Sequence, residues 1–313
     1  MIGTIFHWGI YSVPAFDSIK SALRRRTGNG SEWYLARLEE KATWRPLAGY
    51  KDVQDFHAKF YGDMKYEGFA DLFIPKDVNF DKWMELSKQI GAEYVFLTAM
   101  HHDGYCLWDT KTTDHNSVKT GPKMDLLQKF RESAKKHNLK FGVYYSLFTF
   151  GKGVTKEYLQ KTLEPQMLEL LEYQPDYLWL DGNWNVKTKI AIETVVKSVQ
   201  KFKEIGTLVN DRICGDQKIN SEISDYRVFG DRYIPDQKLD IKWQSIQTIG
   251  LSWGYNGDQR PENYKSGQEL LELYTVIKER GGDLLLNFGP MSNGELDANE
   301  VKSAVEFREL LKK

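Results

Sequence analysis

The chain has 313 residues, enough for two average domains or for one large α/β barrel. Its 43 basic and 44 acidic residues give a formal charge of -1 without a long run of either sign, which argues against a nucleic-acid or anionic-membrane partner. No apolar run approaches the length of a membrane span, and no basic segment followed by an apolar one opens the chain. We therefore expect a cytoplasmic protein, or one from which a signal peptide has been removed.

The chain is rich in aromatic residues, with 9 Trp, 17 Tyr and 16 Phe, and several of them stand beside His, Asp or Gly. Such mixing is typical of a pocket with flat apolar walls and a few polar anchors, as in carbohydrate sites. A large aromatic core would give the same counts. Cys106 and Cys214 have no metal-ligand spacing, so we expect both to be reduced thiols.

Alternating helix and strand patterns begin in the first third of the chain. Residues 3–12 predict a strand that carries His7 to its end. Residues 80–90 have apolar side chains at helical spacing, residues 92–99 form an apolar strand pattern, and a polar cluster at residues 100–104 follows at once. Helix, strand and then polar cluster is the repeating order of a (β/α) barrel.

The same order continues to the end of the chain. Predicted helices cover residues 125–137, 154–173, 190–202, 267–280 and 297–312. Predicted strands cover residues 139–147, 177–180, 207–211, 239–247 and 283–288. The strand over residues 239–247 is expected to carry Gln244 near its end, and residues 214–240 show no assignable pattern. Because no linker and no low-complexity segment interrupts the chain, residues 1–313 are predicted to form a single α/β domain, a (β/α)8-like barrel of the TIM type.

Asp181 follows an apolar, β-prone run at residues 177–180 and precedes Gly182. In a parallel α/β fold, the carboxyl end of a strand is where catalytic groups are placed. An Asp-Gly pair is also a common turn, and for this pair alone the turn is the more frequent interpretation. The His, Tyr and Arg residues that follow the other predicted strands favour a shared site.

Three other kinds of chemistry lack their motifs. His101 and His102 are adjacent, so on a strand they point to opposite faces, and no His-x-x-x-His or Glu-x-x-His companion accompanies them. Neither a Gly-x-Ser-x-Gly elbow nor a Gly-rich phosphate loop is present. Retaining glycoside hydrolysis needs one carboxylate as nucleophile and a second, roughly 5 Å away, as acid and then base. Asp181 suits the first role.

Several separate stretches resemble the α-L-fucosidases of glycoside hydrolase family 29. They are residues 7–15 (HWGIYSVPA), 30–34 (GSEWY), 101–109 (HHDGYCLWD), 140–146 (KFGVYYS), 178–182 (LWLDG), 210–212 (NDR), 252–255 (SWGY) and 286–290 (LNFGP). They span nearly the whole chain in the family's order. The resemblance implies an exo-acting, retaining α-L-fucosidase that acts on fucosylated oligosaccharides or glycoconjugates and needs no metal or organic cofactor.

By this resemblance, Asp181 occupies the position of the family's nucleophile. The positions that match the family's fucose-binding residues are His7, Glu32, His101, His102, Tyr144, Trp179 and Arg212. Imidazoles, a carboxylate and a guanidinium suit the sugar hydroxyls, and an indole suits the methyl face. The family usually carries a C-terminal β-sandwich, and this chain ends about where the barrel should close, which predicts a catalytic domain alone.

One position departs from the family pattern. In many members the acid/base is the Glu of a Trp-Glu pair shortly before Ser-Trp-Gly-Tyr, and here that pair is Trp243-Gln244. An amide cannot transfer the proton, and such assistance is worth about 10²–10⁴-fold. Three explanations stay open: Gln244 replaces a Glu in a substrate-trapping variant, another carboxylate serves, or the protein binds fucose without hydrolysing it. Candidates for the other carboxylate are Glu222, Asp225, Asp236 and Glu262. A hydrolase for a related sugar such as galactose is a further alternative.

Overall fold

The computed structural model describes residues 1–23, 30–39 and 48–313. The turn-rich composition of residues 17–30 predicts an exposed loop that contains Arg24 to Arg26, and these three arginines lie outside the described residues. Within these described ranges, seven parallel strands form a central sheet. The strands are β1 (Ile2–Phe6), β2 (Tyr94–Met100), β3 (Lys140–Ser146), β4 (Tyr177–Asp181), β5 (Leu208–Val209), β6 (Gln244–Thr248) and β7 (Asp283–Phe288). They lie in the order β5-β4-β3-β2-β1-β7-β6.

Two single parallel bridges continue the sheet between β5 and β6. Asn210 pairs with Tyr226, and Arg227 pairs with Trp243. Tyr226 and Arg227 therefore lie between the two outer strands, where an eighth strand would stand in a closed barrel. The curled sheet of parallel strands confirms the predicted (β/α)8-like fold.

Side chains alternate between the two faces of the sheet, and β4 illustrates the pattern. Tyr177 and Trp179 belong to an aromatic cluster inside the barrel. Leu178 and Leu180 belong to the larger core between the sheet and the helices. Because successive strand residues point to opposite faces, Asp181 follows Trp179 onto the inner face, at the carboxyl end of the strand.

The α-helices lie between the strands in the chain and surround the sheet. They are α1 (Ile19–Ala22), α2 (Tyr34–Leu38), α3 (Tyr50–Tyr61), α4 (Phe69–Leu72), α5 (Phe80–Gln89), α6 (Leu126–Lys136), α7 (Lys156–Tyr158), α8 (Glu164–Glu172), α9 (Lys189–Glu204), α10 (Gln217–Ile223), α11 (Gly267–Glu279) and α12 (Ala298–Leu311). The side chains of Asn79, Asp125, Thr188 and Ser266 accept backbone hydrogen bonds at the starts of α5, α6, α9 and α11. No helix among the described residues is both long and apolar enough to cross a membrane.

The structure corrects the sequence analysis between residues 214 and 248. The segment without an assignable pattern contains α10 and the two bridge residues. The predicted strand over residues 239–247 begins only at Gln244 and ends at Thr248. Gln244 is thus the first residue of β6, at the opposite end of the barrel from Asp181.

Candidate active site

The centre of the candidate site is Asp181, the last residue of β4. It is 8% exposed. Gly182 follows with a φ of 82°, a left-handed conformation that glycine adopts without a steric penalty. A Cβ at Gly182 would also lie 2.5 Å from the ring of Phe148. Both predictions are therefore confirmed at this place, because Asp181 ends the strand and Gly182 begins the turn.

Three side chains hold the Asp181 carboxylate. Arg212 Nη1 donates to Oδ1 at 2.9 Å, and the hydroxyl of Tyr144 donates to Oδ2 at 2.8 Å. His102 Nε2 lies 3.5 Å from the same Oδ2. Burial favours a higher pKa for Asp181, but Arg212, His102 and Tyr144 outweigh it and hold that pKa well below its ordinary value. The carboxylate is therefore ionised at neutral pH.

Arg212 connects Asp181 to a second carboxylate. Its Nη2 donates to Asp231 Oδ1 at 2.5 Å and to the carbonyl oxygen of Phe229 at 3.1 Å. The guanidinium carbon also lies 4.7 Å from the ring centroid of Trp179, a cation–π distance. Arg212 is therefore fixed by an aromatic face, a carbonyl and two carboxylates.

Two neutral histidines lie on the other side of the pocket. His7 Nδ1 is 2.5 Å from the side-chain oxygen of Asn287, an acceptor, so this nitrogen carries the proton. Burial lowers the pKa of His7 to about 4, although the bond to Asn287 opposes the shift. Burial also lowers the pKa of His101 well below its usual value. Among the described residues, His101 Nδ1 has no hydrogen-bond partner. A buried nitrogen of this kind is suited to a ligand hydroxyl.

His102 is oriented from behind by Ser146. The Ser146 hydroxyl lies 2.5 Å from the carbonyl oxygen of Phe148 and donates to it. The same oxygen is 2.6 Å from His102 Nδ1 and so accepts the proton of that nitrogen. The His102 ring also stacks on Phe148 at 4.6 Å between centroids, which leaves Nε2 facing Asp181.

Eleven of the residues that the structure describes line the pocket around Asp181. They are His7, Trp33, His101, His102, Tyr144, Trp179, Asp181, Trp184, Asp231, Ile246 and Trp253. Six of the predicted site residues are thus brought together here. Among the described residues, no group of three or more His, Cys, Asp or Glu side chains is arranged to hold a metal ion.

Glu32 lies behind the pocket. It is fully buried, and Oε1 accepts from Gly30 N at 2.7 Å while Oε2 accepts from Gly254 N at 3.1 Å and from the Ser252 hydroxyl at 3.4 Å. These bonds join the turn that carries Trp33 to the loop that carries Trp253. Glu32 therefore positions two aromatic walls of the pocket, and its predicted direct contact with fucose stays a prediction.

Gln244 faces a different part of the molecule. Its side-chain oxygen accepts from Trp179 Nε1 at 3.1 Å, and its side-chain nitrogen donates to the Tyr94 hydroxyl at 3.0 Å. A separate cavity of about 150 Å³ is lined by Gln244 together with Tyr94, Tyr177 and Asp283. These four are the first residues of β6, β2, β4 and β7. The resemblance to the family's Trp-Glu pair predicted position 244 as the acid/base, and the sequence analysis placed it near the end of a strand. That placement is wrong, because Gln244 lies at the amino end of the barrel and does not line the pocket around Asp181.

The four alternative carboxylates are also absent from the lining of the pocket. Glu222, Asp236 and Glu262 are exposed. Asp225 accepts hydrogen bonds from the Lys203 ammonium at 2.6 Å and from Val209 N at 2.9 Å. Its side chain therefore supports the edge of β5.

Sequence reasoning missed five residues that line the pocket. Trp33 and Trp253 stood inside the motifs at residues 30–34 and 252–255, but neither was chosen as a site residue. Trp184 and Ile246 carried no signal beyond their places in or after a strand. Asp231 lies in the segment without an assignable pattern, and only its contact with Arg212 reveals it.

Comparisons of the sequence with known proteins give the same family over the whole chain. A sequence model described as α-L-fucosidase matches residues 1–313. The α-L-fucosidase of Dictyostelium discoideum is 29% identical over 97% of this chain and 67% of its own length. Human plasma α-L-fucosidase is 30% identical over 94% of this chain, which spans 62% of the human protein.

Solved structures give the same result. The structure of the Thermotoga maritima α-fucosidase in complex with a mechanism-based inhibitor superposes on this chain with a TM-score of 0.82 and 32% sequence identity. The match covers 100% of this chain and 72% of the Thermotoga chain. The complex of that enzyme with fucose has a TM-score of 0.81 at the same identity and coverage. With the barrel, the strand-end aspartate and the motifs in agreement, the chain belongs to the α-L-fucosidase family, glycoside hydrolase family 29.

Proposed function

We propose that this chain is an exo-acting, retaining α-L-fucosidase that removes terminal α-L-fucosyl residues from oligosaccharides or glycoconjugates. The observation that carries the proposal is the ionised Asp181 carboxylate, which lies in a small pocket lined by imidazole and indole rings. An exo-acting enzyme needs a pocket that accepts one terminal sugar. Relatives named α-L-fucosidase support the substrate class.

The polar groups of the pocket suit a polyhydroxylated ring. His7 is neutral, with Nδ1 donating to Asn287, so its Nε2 accepts a hydrogen bond from a sugar hydroxyl. His101 has a nitrogen without a partner among the described residues and can bind a second hydroxyl. Trp179 and Trp253 provide flat apolar walls for the methyl face of the sugar.

The proposed reaction is a double displacement. Asp181 attacks the anomeric carbon, the glycosidic C–O bond breaks, and a fucosyl-Asp181 ester forms. Water then attacks the same carbon from the opposite side, the ester bond breaks, and α-L-fucose is released with retention of configuration. Arg212 and Tyr144 orient the nucleophile, since each donates to one of its oxygens.

The amide of Gln244 takes no part in this chemistry. Both of its polar atoms are occupied by Trp179 and Tyr94. Gln244 therefore supports the floor of the barrel under Trp179, and we do not expect the amide to disable the enzyme. The proposal that Gln244 marks a substrate-trapping variant finds no support in this geometry.

Hydrolysis of 4-nitrophenyl α-L-fucoside tests the function, with the Asp181→Ala variant as the control. We expect turnover by the unaltered chain, essentially none by the variant, and an α-anomer as the first product in a proton NMR time course. Binding of fucose without turnover would instead support a silent fucose-binding protein. A galactoside of the same ring configuration separates the enzyme alternatives, because a pocket packed on the methyl group should penalise the added hydroxyl.

A further inference from the structure

We propose that Asp231 is the second carboxylate of the reaction, the group that protonates the leaving oxygen and then deprotonates the attacking water. The inference rests on the proposed function. Double displacement needs an acid/base besides the nucleophile. Of the residues that the structure describes, Asp181 and Asp231 are the two carboxylates that line the pocket.

The two carboxylates differ in exposure in the way their roles require. The Asp181 side chain is 11% exposed and has three polar neighbours, so it is fixed at the floor of the pocket. The Asp231 side chain is 39% exposed. A group that gives a proton to the departing sugar and takes one from incoming water must reach the open side of the pocket.

Arg212 holds both carboxylates on one guanidinium. Nη1 bonds to Asp181 and Nη2 bonds to Asp231. Because the fork of a guanidinium is rigid and planar, the spacing between the two carboxyl groups is fixed by one side chain. The pocket therefore contains two carboxylates at a fixed spacing, of which Asp181 is buried and Asp231 lies near the mouth.

The backbone around Asp231 is held in an unusual conformation. Phe229 has a φ of 50° and Arg232 a φ of 57°, a left-handed region that is strained for residues other than glycine. The segment is anchored on both sides. Arg232 N donates to the Ile246 carbonyl at 3.2 Å, and the Phe229 carbonyl accepts from Arg212. The backbone is therefore strained on both sides of Asp231, and the anchored segment holds this side chain at the pocket.

The proton balance is simple. In the first step the Asp231 carboxyl gives its proton to the glycosidic oxygen as that oxygen leaves C1 with the bonding electron pair. In the second step the Asp231 carboxylate takes a proton from water as the water oxygen bonds to C1 and the Asp181 ester leaves. No other reactant is needed, and Asp231 returns to its protonated form.

A positioning role through Arg212 is the competing explanation, and leaving-group dependence separates the two. The Asp231→Asn variant keeps an oxygen for Arg212 but cannot transfer a proton, and Asp231→Ala removes both. We expect each variant to lose about 10²–10⁴-fold in kcat/KM on a fucosyl disaccharide and much less on 4-nitrophenyl α-L-fucoside, whose leaving group needs little protonation. Asp240→Asn is the matched control in the same segment, exposed and outside the pocket lining, and should leave both rates unchanged.

Sodium azide supplies the decisive readout. Azide needs no deprotonation, so it should attack the fucosyl-Asp181 ester that accumulates in Asp231→Ala, raise the rate with the aryl fucoside and give α-L-fucosyl azide. In Asp181→Ala it should attack the substrate itself and give β-L-fucosyl azide. Fucose binding by calorimetry and circular dichroism verify that the variants are folded.

Equal losses on both substrates without an azide response would overturn the role of Asp231 and leave it a positioning residue. Robust disaccharide hydrolysis by Asp231→Asn would overturn it as well. In both cases turnover by the unaltered chain keeps the proposed function. Absence of turnover by the unaltered chain would overturn the proposed function and this inference together.

Discussion

The two ends of the barrel use polar side chains in opposite ways, and Trp179 connects them. At the carboxyl end, the Arg212 guanidinium lies over the Trp179 ring and holds two carboxylates that line a pocket. At the amino end, the Trp179 indole N–H donates to Gln244, whose amide in turn donates to Tyr94. The carboxyl end carries the charged Arg212 and a histidine nitrogen without a partner among the described residues, whereas Trp179, Gln244 and Tyr94 at the amino end are neutral and hydrogen-bonded to one another.

This difference follows the positions of the two residues within their strands. Asp181 is the last residue of β4, and Gln244 is the first residue of β6. In a parallel barrel the first position supports stability and the last position carries chemistry. A sequence motif alone does not show whether a polar residue lies at the first or the last position of its strand.

The largest effect is expected at the carboxyl end, from Asp181→Asn. The amide keeps the shape of the side chain but cannot form the ester, so kcat/KM should fall by about 10⁴-fold or more. Steady-state kinetics with 4-nitrophenyl α-L-fucoside measure the loss, and Asp240→Asn again serves as the control. A variant that keeps a tenth of the activity would remove Asp181 from the nucleophile position.

The next largest loss of activity is expected for Arg212→Met, which tests whether the charge of Arg212 sets the protonation of Asp181. Without the guanidinium, burial dominates and the pKa of Asp181 rises, whereas in the unaltered chain it stays below its ordinary value. The nucleophile is then ionised only at higher pH, so the acid limb of the kcat/KM profile should move to higher pH.

At the pH optimum of Arg212→Met we expect a loss of about 10²-fold, because a preorganised charge is missing. The exposed Arg260→Met is the matched control and should leave the profile in place. An unchanged acid limb in Arg212→Met would show that Arg212 does not set the protonation of Asp181.

Gln244→Glu tests the amino end directly. Trp179 and Tyr94 enclose this side chain, so a carboxylate here is buried away from solvent and should lower the free energy of unfolding by about 1–3 kcal/mol. Burial raises the pKa of such a Glu, so the loss should be small near pH 4 and grow as pH rises. Urea unfolding at several pH values measures it.

Activity of Gln244→Glu on a fucosyl disaccharide should not rise above that of the unaltered chain. A gain of about 10²–10⁴-fold would mean that position 244 supplies the proton after all. It would also reverse the assignment of the two ends.

The smallest effect is expected for Trp184→Ala at the mouth of the pocket. Trp184 is 40% exposed and lies 5.9 Å from the rings of His102 and Phe148. An exposed indole at this place suits stacking on the leaving sugar, so KM for a disaccharide should rise less than about tenfold while the aryl fucoside is little affected. The exposed Trp184 can be compared with Tyr233→Ala, another exposed aromatic outside the pocket lining. Equal effects of the two variants would remove Trp184 from substrate contact.

Much of the fold could be predicted from the sequence because helix and strand periods are strong wherever segments are long. The strand at residues 283–288 matches β7 at both ends, and the predicted helix over residues 125–137 differs from α6 by one residue at each end. Asp181 was found because an apolar run leads directly into it.

The predicted position of Gln244 within its strand was wrong for a physical reason. The polar, mixed residues before Gln244 give no period that marks where β6 begins, so the strand was predicted to start too early and Gln244 was placed near its end. Asp231 gave no local signal either, since the neighbouring sheet residues form only single bridges. Its significance comes from Arg212, which is distant in sequence and meets it only in the fold.

The most direct test of the central claim, that the chemistry occurs at Asp181 in the carboxyl-end pocket, is covalent trapping. The unaltered chain is incubated with 2-deoxy-2-fluoro-α-L-fucosyl fluoride, whose fluorine slows release of the intermediate, and then digested and mapped by mass spectrometry. We predict one fluorofucosyl ester, on Asp181. A label on a different carboxylate, or an enzyme that turns over the aryl fucoside at an undiminished rate after the incubation, would contradict the claim.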